Sequence, residues 1–203
     1  MEKTDAVPHS TGYFCKMGII PHLRWLIDED QWKEGNNMGI FSKLFSKNEG
    51  MNNANHLYAP MAGAVVSVAD VPDPAFAEGM LGDGIAIIPT DGKIYAPCDA
   101  TVDMMFTTGH AVSLTTESGA EILIHMGLET VTLEGKAFDV KVASGDKVSK
   151  GQVLMIADLE AIRAAGLNTI TPMLVCNSAD FSTFKKTTGR DVTNDDVVIA
   201  LAK

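Results

Sequence analysis

From His56 onward, short apolar stretches alternate with clusters of Gly, Pro, Asp and Ser, a punctuation that predicts strands joined by tight turns. The predicted strands are Gly63–Val68, Ile85–Ile88, Lys93–Ala96, Thr101–Phe106, Ala111–Thr116, Glu121–His125, Thr130–Leu133, Val153–Ala157, Ile170–Val175 and Val197–Leu201. Turns fall at Gly82-Asp83-Gly84, Asp91-Gly92, Ser118-Gly119 and Ser144-Gly145-Asp146. One helix is well signalled, with Asp158 as N-cap, Leu159–Ala165 as body and Gly166 as stop. A parallel α/β sheet needs crossover helices, and the pattern leaves no room for them. The expected fold class is therefore all-β, an antiparallel sandwich or barrel of about 150 residues with one or two short helices.

The pattern fails upstream. Residues 1–37 contain both tryptophans, Trp25 and Trp32, and no strand or helix periodicity. Lys33-Glu34-Gly35 can be encoded by AAG GAG GGN, a ribosome-binding sequence, and Asn36-Asn37 would space it from an ATG at Met38. The expectation is that translation starts at Met38, leaving 1–37 as an untranslated stretch, the alternative being a disordered extension. Residues 38–55 form a second segment. Within Met38–Lys47, Ile40, Phe41, Leu44 and Phe45 share one helical face, with Lys43 and Lys47 opposite. Such a face can make weak contact with an anionic membrane surface or simply fray; Asn48 to Asn55 reads as a polar linker. Residues 56–203 are the folded domain.

Composition narrows the function. Of 203 residues, 46% are hydrophobic and 21% charged, which suits a globular domain, and no apolar run approaches the roughly 20 residues of a membrane span. The formal net charge is −10, and residues 38–203 hold 12 basic against 20 acidic side chains. This balance repels phosphate backbones, excludes nucleic acid as a partner and favours a basic protein surface. Cys15, Cys98 and Cys176 form no metal-ligating or disulfide pattern and suit a reducing cytoplasm.

Two histidines, His110 and His125, lie inside the predicted β-core. If Glu117-Ser118-Gly119-Ala120 is a four-residue connection, Thr116 faces Glu121 and His125 faces Val112. His110 is then the diagonal neighbour of His125 on the same face. A slip of one residue would send the rings to opposite faces. Adjacent imidazoles can act as a nucleophile and its hydrogen-bonding assistant, with the Thr108 hydroxyl at the same strand end. That set suits a phosphoryl group received on a ring nitrogen, and the lack of a Gly-rich phosphate loop argues against ATP as donor. Histidines that merely pack are the plain alternative.

Several motifs occur in order: Ala59-Pro60-Met61-Ala62-Gly63, Val71-Pro72-Asp73, Gly82-Asp83-Gly84-Ile85-Ala86-Ile87, Ala96-Pro97, Thr108-Gly109-His110-Ala111, Ile124-His125-Met126-Gly127-Leu128-Glu129-Thr130-Val131, Leu133-Glu134-Gly135, Phe138 and Thr171-Pro172. From Ala59 to Lys203 the chain thus resembles the glucose-family enzyme IIA domain of the bacterial phosphoenolpyruvate-dependent sugar phosphotransferase system. Met38-Gly39-Ile40-Phe41 resembles the start of free-standing members. The resemblance implies a sandwich of the duplicated hybrid-motif type, acting in trans in the cytoplasm and peripherally at a membrane permease. It implies that His125 takes a phosphoryl group from the phosphocarrier protein HPr and passes it to a cysteine of a IIB domain in a IIB/IIC permease. His110 would steady that group and Thr108 would support His110. No cofactor is required, although zinc held by His110, His125 and a partner's carboxylate is compatible with the family. A partner-docking ring would comprise Ala75, Phe76, Met80, Leu81, Phe106, Leu123 and Val131, with Glu129 at a position where aspartate is common. Pro74 and Ala75 replace bulkier residues, so the resemblance does not extend to the regulatory contacts of enteric relatives.

Other readings remain at this stage. Ser144 to Gln152 resembles a turn of biotinyl and lipoyl carriers, but the exposed Glu-Ala-Met-Lys type of motif is missing. Zinc peptidases of related topology need a His-x-His pair, also missing. A regulatory protein-binding module that keeps His125 without phosphotransfer is the alternative function.

Overall fold

The computed structural model describes residues 54–203; the expectations for 1–37, the amphipathic segment 38–47 and most of the linker lie outside the described residues. In chain order the elements are β1 (Ala54–Tyr58), β2 (Gly63–Ser67), α1 (Pro74–Ala77), β3 (Asp83–Pro89), β4 (Lys93–Tyr95), β5 (Ala100–Met105), β6 (Ala111–Thr115), β7 (Glu121–His125), β8 (Phe138–Val140), β9 (Lys147–Val148), β10 (Val153–Ala157), α2 (Leu159–Ala164), β11 (Thr171–Val175), β12 (Thr183–Lys186), β13 (Arg190–Val192) and β14 (Val197–Ala202). The strands pair antiparallel into an eight-stranded sheet, β13-β2-β3-β11-β7-β6-β5-β9, and two three-stranded sheets, β1-β14-β12 and β4-β10-β8. This is the expected all-β sandwich.

Alternation along the strands explains where the core sits. Ile85 and Ile87 of β3, Ile122 and Ile124 of β7, and Met173 and Val175 of β11 join Leu57, Ile94, Leu154 and Ile199 of the smaller sheets in one buried cluster. The opposite faces of β3 and β11 are buried too. Ala86 and Leu174 lie under a strap, residues 68–82, that contributes Val68, Val71, Ala75, Phe76 and Leu81 to a second cluster. The strap is shaped by local chemistry: the Asp73 carboxylate accepts from the Ala75 N–H, capping α1, and Pro74 occupies the first turn where its missing N–H costs nothing. Each large apolar side chain fully buried this way contributes about 1.5–3 kcal/mol, and β11, lying between the two clusters, is covered at all five positions.

Three expectations change. Thr130–Leu133 is a 3-10 turn and not a strand: its β-branched residues mimic a strand, but left-handed backbone at Glu129 (φ 56°) and Glu134 (φ 53°) brackets it. The β6–β7 connection has three residues, because Thr116 pairs backbone to backbone with Ala120 and Gly119 (φ 82°) closes the turn. The register is consequently Thr115 opposite Glu121 and Ala111 opposite His125, one residue from the predicted one. Gly82-Asp83-Gly84 is not all turn either, since β3 already begins at Asp83. Short strands β8, β9, β12 and β13 carry too few residues to show a period, and α1 too few turns. The predicted helix is α2, capped by the Asp158 side chain on the Ala161 N–H.

At Gly84 the backbone of β11 leaves β3 no room for a side chain: a Cβ there would stand 2.1 Å from the Met173 carbonyl oxygen. Gly84→Ala must push the two strands apart. The expected outcome is a loss of about 1–3 kcal/mol, read as a lower urea midpoint with an unchanged slope.

Candidate active site

The open end of the β6–β7 hairpin brings the two histidines together. His125 is the last residue of β7 and has no exposed surface; His110 precedes β6 and is 2% exposed. Their ring centroids are 5.0 Å apart at an interplanar angle of 73°. The one-residue register difference does not separate them, because His110 stands outside the regular strand, in a bend after Gly109 (φ 66°), where strand alternation no longer holds. Its carbonyl still accepts from the Met126 N–H at 2.8 Å, tying the bend to the end of β7. Gly109 itself is close-packed: a Cβ would meet Val140 at 2.7 Å and Phe138 at 3.0 Å.

Each ring is oriented through Nδ1. Thr108 Oγ1 lies 2.5 Å from His110 Nδ1, so the predicted threonine does reach the predicted histidine. His125 Nδ1–H donates to the Gly127 carbonyl at 2.7 Å. A carbonyl only accepts, so this bond places the proton of the neutral ring on Nδ1 and the lone pair on Nε2. His110 Nε2 is buried without a hydrogen-bond partner. Phe76 packs on His125 at 5.4 Å between centroids, and Phe106 meets His110 edge-on at 5.2 Å.

Burial sets the electrostatics. Loss of solvent drives the His125 pKa down to about 4, against the raising effects of the Gly127 bond and of the Asp73 charge. Loss of solvent, then the neighbouring His125, take His110 down to about 3. Both imidazoles are therefore neutral at pH 7, and His125 presents an uncharged nitrogen nucleophile. Among the described residues no group of three metal-ligating side chains occurs; the two rings alone supply two ligands.

The predicted docking positions divide. Met80 is 37% exposed, Glu129 is exposed, and Phe106 and Val131 are half-buried. Leu123 shares a face of β7 with His125 and is nearly covered. Ala75, Phe76 and Leu81 are buried in the second cluster, and of these Phe76 packs on the His125 ring. Three contributors were missed from the residues alone: Asp73, Gly127 and Thr130. The Asp73-Pro74 cap signal could have revealed the first, and no local pattern marks the other two.

A β-sandwich with two buried imidazoles paired at a hairpin end has the fold and the site that the resemblance to a IIA-type domain implies. The family model described as phosphoenolpyruvate-dependent sugar phosphotransferase system, EIIA 1, matches residues 55–181, and the chain belongs to that family. It is 44% identical over 153 residues to the PTS system glucose-specific EIIA component of Halalkalibacterium halodurans, covering 72% of this chain and 88% of that one. It is also 44% identical over 178 residues to the PTS system glucose-specific EIICBA component of Staphylococcus saprophyticus, covering 88% of this chain and 25% of that one. Among solved structures, glucose permease IIA from Mycoplasma capricolum superposes with a TM-score of 0.66 at 31% identity, covering 73% of this chain and 96% of that one.

Two outcomes follow from the burial of the rings. Both folded-state pKa values lie below the free value of about 6.5, so the unfolded chain binds more protons in between. Stability is fully present above about pH 6.5 and falls as pH drops toward 4, by about 1.4 kcal/mol per unit for each ring. Melting temperatures should decline from pH 7 to pH 5, and less so in the His110→Gln/His125→Gln double variant. Phe76→Leu should admit water and raise the His125 pKa from about 4 toward its ordinary value, at a cost in stability of about 1–3 kcal/mol; an NMR titration of the His125 ring checks it.

Proposed function

We propose that the protein is a cytoplasmic phosphohistidine carrier for sugar uptake, taking a phosphoryl group from phospho-HPr on His125 Nε2 and delivering it to a IIB cysteine. The observation that carries this reading is the Nδ1–H bond to Gly127, which leaves the nucleophilic lone pair on Nε2 of a neutral ring beside a second imidazole. In the first step Nε2 attacks the phosphorus of the donor phosphohistidine; one N–P bond forms as another breaks, and no proton moves. The phosphorylated His125 ring keeps its Nδ1–H, and the Gly127 carbonyl faces the positive charge that the ring acquires. With Thr108 donating to Nδ1, His110 carries its proton on Nε2 and donates to a phosphoryl oxygen. In the second step a cysteine thiolate attacks, an S–P bond replaces the N–P bond, and His125 returns to its neutral state. The donor arrives activated, so positioning and exclusion of water by Phe76 and Phe106 do most of the catalysis.

Relatives named for glucose, one of them named EIICBA, favour glucose as the sugar and a IIB/IIC permease as the acceptor. Among the described residues no helix is long and apolar enough to cross a membrane. Phosphotransfer in this scheme needs no cofactor. The two imidazoles also suit a zinc ion completed by a partner's carboxylate, a site that forms only within a complex.

Incubation with phosphoenolpyruvate, Enzyme I and HPr should add one acid-labile phosphate, seen as a single mass increment. His125→Gln should abolish it. His110→Gln should still accept the label and fail to pass it to IIB. An unlabelled wild type with competent donors would favour the regulatory binding module instead.

A further inference from the structure

We propose that Thr130 is a positioning residue for the His125 ring, fixing the turn that presents the Gly127 carbonyl to Nδ1. Gly127, at φ 71°, is the flexible joint of that turn, so the direction of its carbonyl depends on the two peptide planes that flank it. The plane after it holds the Gly127 carbonyl itself and the Leu128 N–H, which donates to the Asn168 carbonyl at 2.8 Å. The plane before it holds the Met126 carbonyl, which accepts from Thr130 Oγ1 at 2.5 Å. Thr130 has no exposed surface, and its methyl carbon occupies the space beside Gly127, 2.6 Å from where a Cβ would stand. One side chain thus pins the first plane by a hydrogen bond and closes the volume into which the turn would otherwise relax.

The following residues lean on the same clamp. Glu129 lies in the left-handed region (φ 56°) with no side-chain cap, a conformation that persists only when its neighbours impose it. Thr130 holds it from one side, and the Thr132 hydroxyl and N–H, both donating to the Glu129 carbonyl, hold it from the other. Met126 is anchored at both ends, its N–H on the His110 carbonyl and its carbonyl on Thr130. Loss of the Thr130 hydroxyl frees the carbonyl half of that anchor. The Gly127 carbonyl can then rotate off Nδ1, and the neutral ring of His125 loses its preference for the Nδ1–H tautomer. The consequence for phosphotransfer rests on the carrier reading above; the consequence for the ring does not.

The experiment is ring tautomer measurement by long-range 15N–1H correlation on the full-length chain with 15N-labelled histidine at pH 7.5, beside the rate of labelling by phospho-HPr. Wild type should show His125 as the Nδ1–H tautomer. Thr130→Val should shift it toward Nε2–H and slow labelling on the order of tenfold to a hundredfold, while Thr130→Ser restores both. Ile94→Val, in the core of the small sheet, serves as a control for general loosening. An unchanged tautomer in Thr130→Val, or an equal shift in Ile94→Val, overturns the proposal. A wild type that shows the tautomer pattern but takes no label overturns the carrier reading alone and leaves the role of Thr130 supported.

Discussion

The bond from His125 Nδ1 to the Gly127 carbonyl decides what the site can do, because it chooses which nitrogen carries the lone pair. A free imidazole exchanges its two tautomers and is partly protonated near neutrality. Burial removes the second problem by disfavouring the charged form, and the carbonyl removes the first by accepting from one nitrogen only. Both remedies depend on rigid surroundings. A buried ring that could turn over would present the wrong atom, and a ring that could reach water would acquire a proton. The sandwich meets both demands at a strand end, where β7 stops and a short turn folds back upon its last side chain.

Rigidity there has a traceable origin. β7 lies between β11 and β6 in the large sheet, so its backbone is paired along both edges. The inner face of the sheet packs on the main core, and the strap over β3 and β11 adds a second layer that ends in Phe76 against His125. The strap is short and local in sequence, yet it determines solvent access to the site. Its cap residue Asp73 also supplies the charge that partly offsets the desolvation of His125. One small element therefore sets both the wall and the field of the reacting ring.

Much of this was legible in the sequence. Apart from β1, which begins at Ala54 inside the stretch read as a linker, the strands with five or more residues are legible as short apolar runs between turn residues, and the α2 cap is a local signal that needs no tertiary context. The histidine pair was legible as well, although by a register that is one residue wrong. Loop length cannot be read from Glu117 to Ala120 without knowing that Gly119 takes a left-handed conformation and that Thr116 pairs with Ala120. The pair forms anyway because His110 is outside the ladder, a feature no periodicity encodes. Thr130–Leu133 failed for a related reason: three adjacent β-branched residues and a leucine carry strand propensity, but Glu129 and Glu134 break the backbone on both sides. Gly127 meets His125 through its backbone carbonyl, and the Thr130 hydroxyl bonds to the backbone carbonyl of Met126, so no pairing of side-chain types gives a hint of either contact. Phe76 was legible as an apolar residue near the site, yet only the strap shows that it faces inward.

The charge of the protein bears on selectivity. A phosphoryl group brings negative charge to a site made of two neutral imidazoles, with Asp73 close enough to influence His125 and Glu129 exposed on the adjoining turn. The groups that bond to the ring Nδ1 atoms, the Thr108 hydroxyl and the Gly127 carbonyl, carry no positive charge. A free phosphate ion or a nucleotide would gain only hydrogen bonds there while meeting the repulsion of a domain whose net charge is negative. Under the carrier reading, a donor protein with a basic surface would change that balance, its cations meeting exposed Glu129 and the net negative charge of the domain as its phosphoryl group reaches Nε2. On that reading the neutrality of the rings and the acidity of the domain work together. The first keeps the nucleophile reactive at all times, and the second confines its use to encounters with a cationic partner.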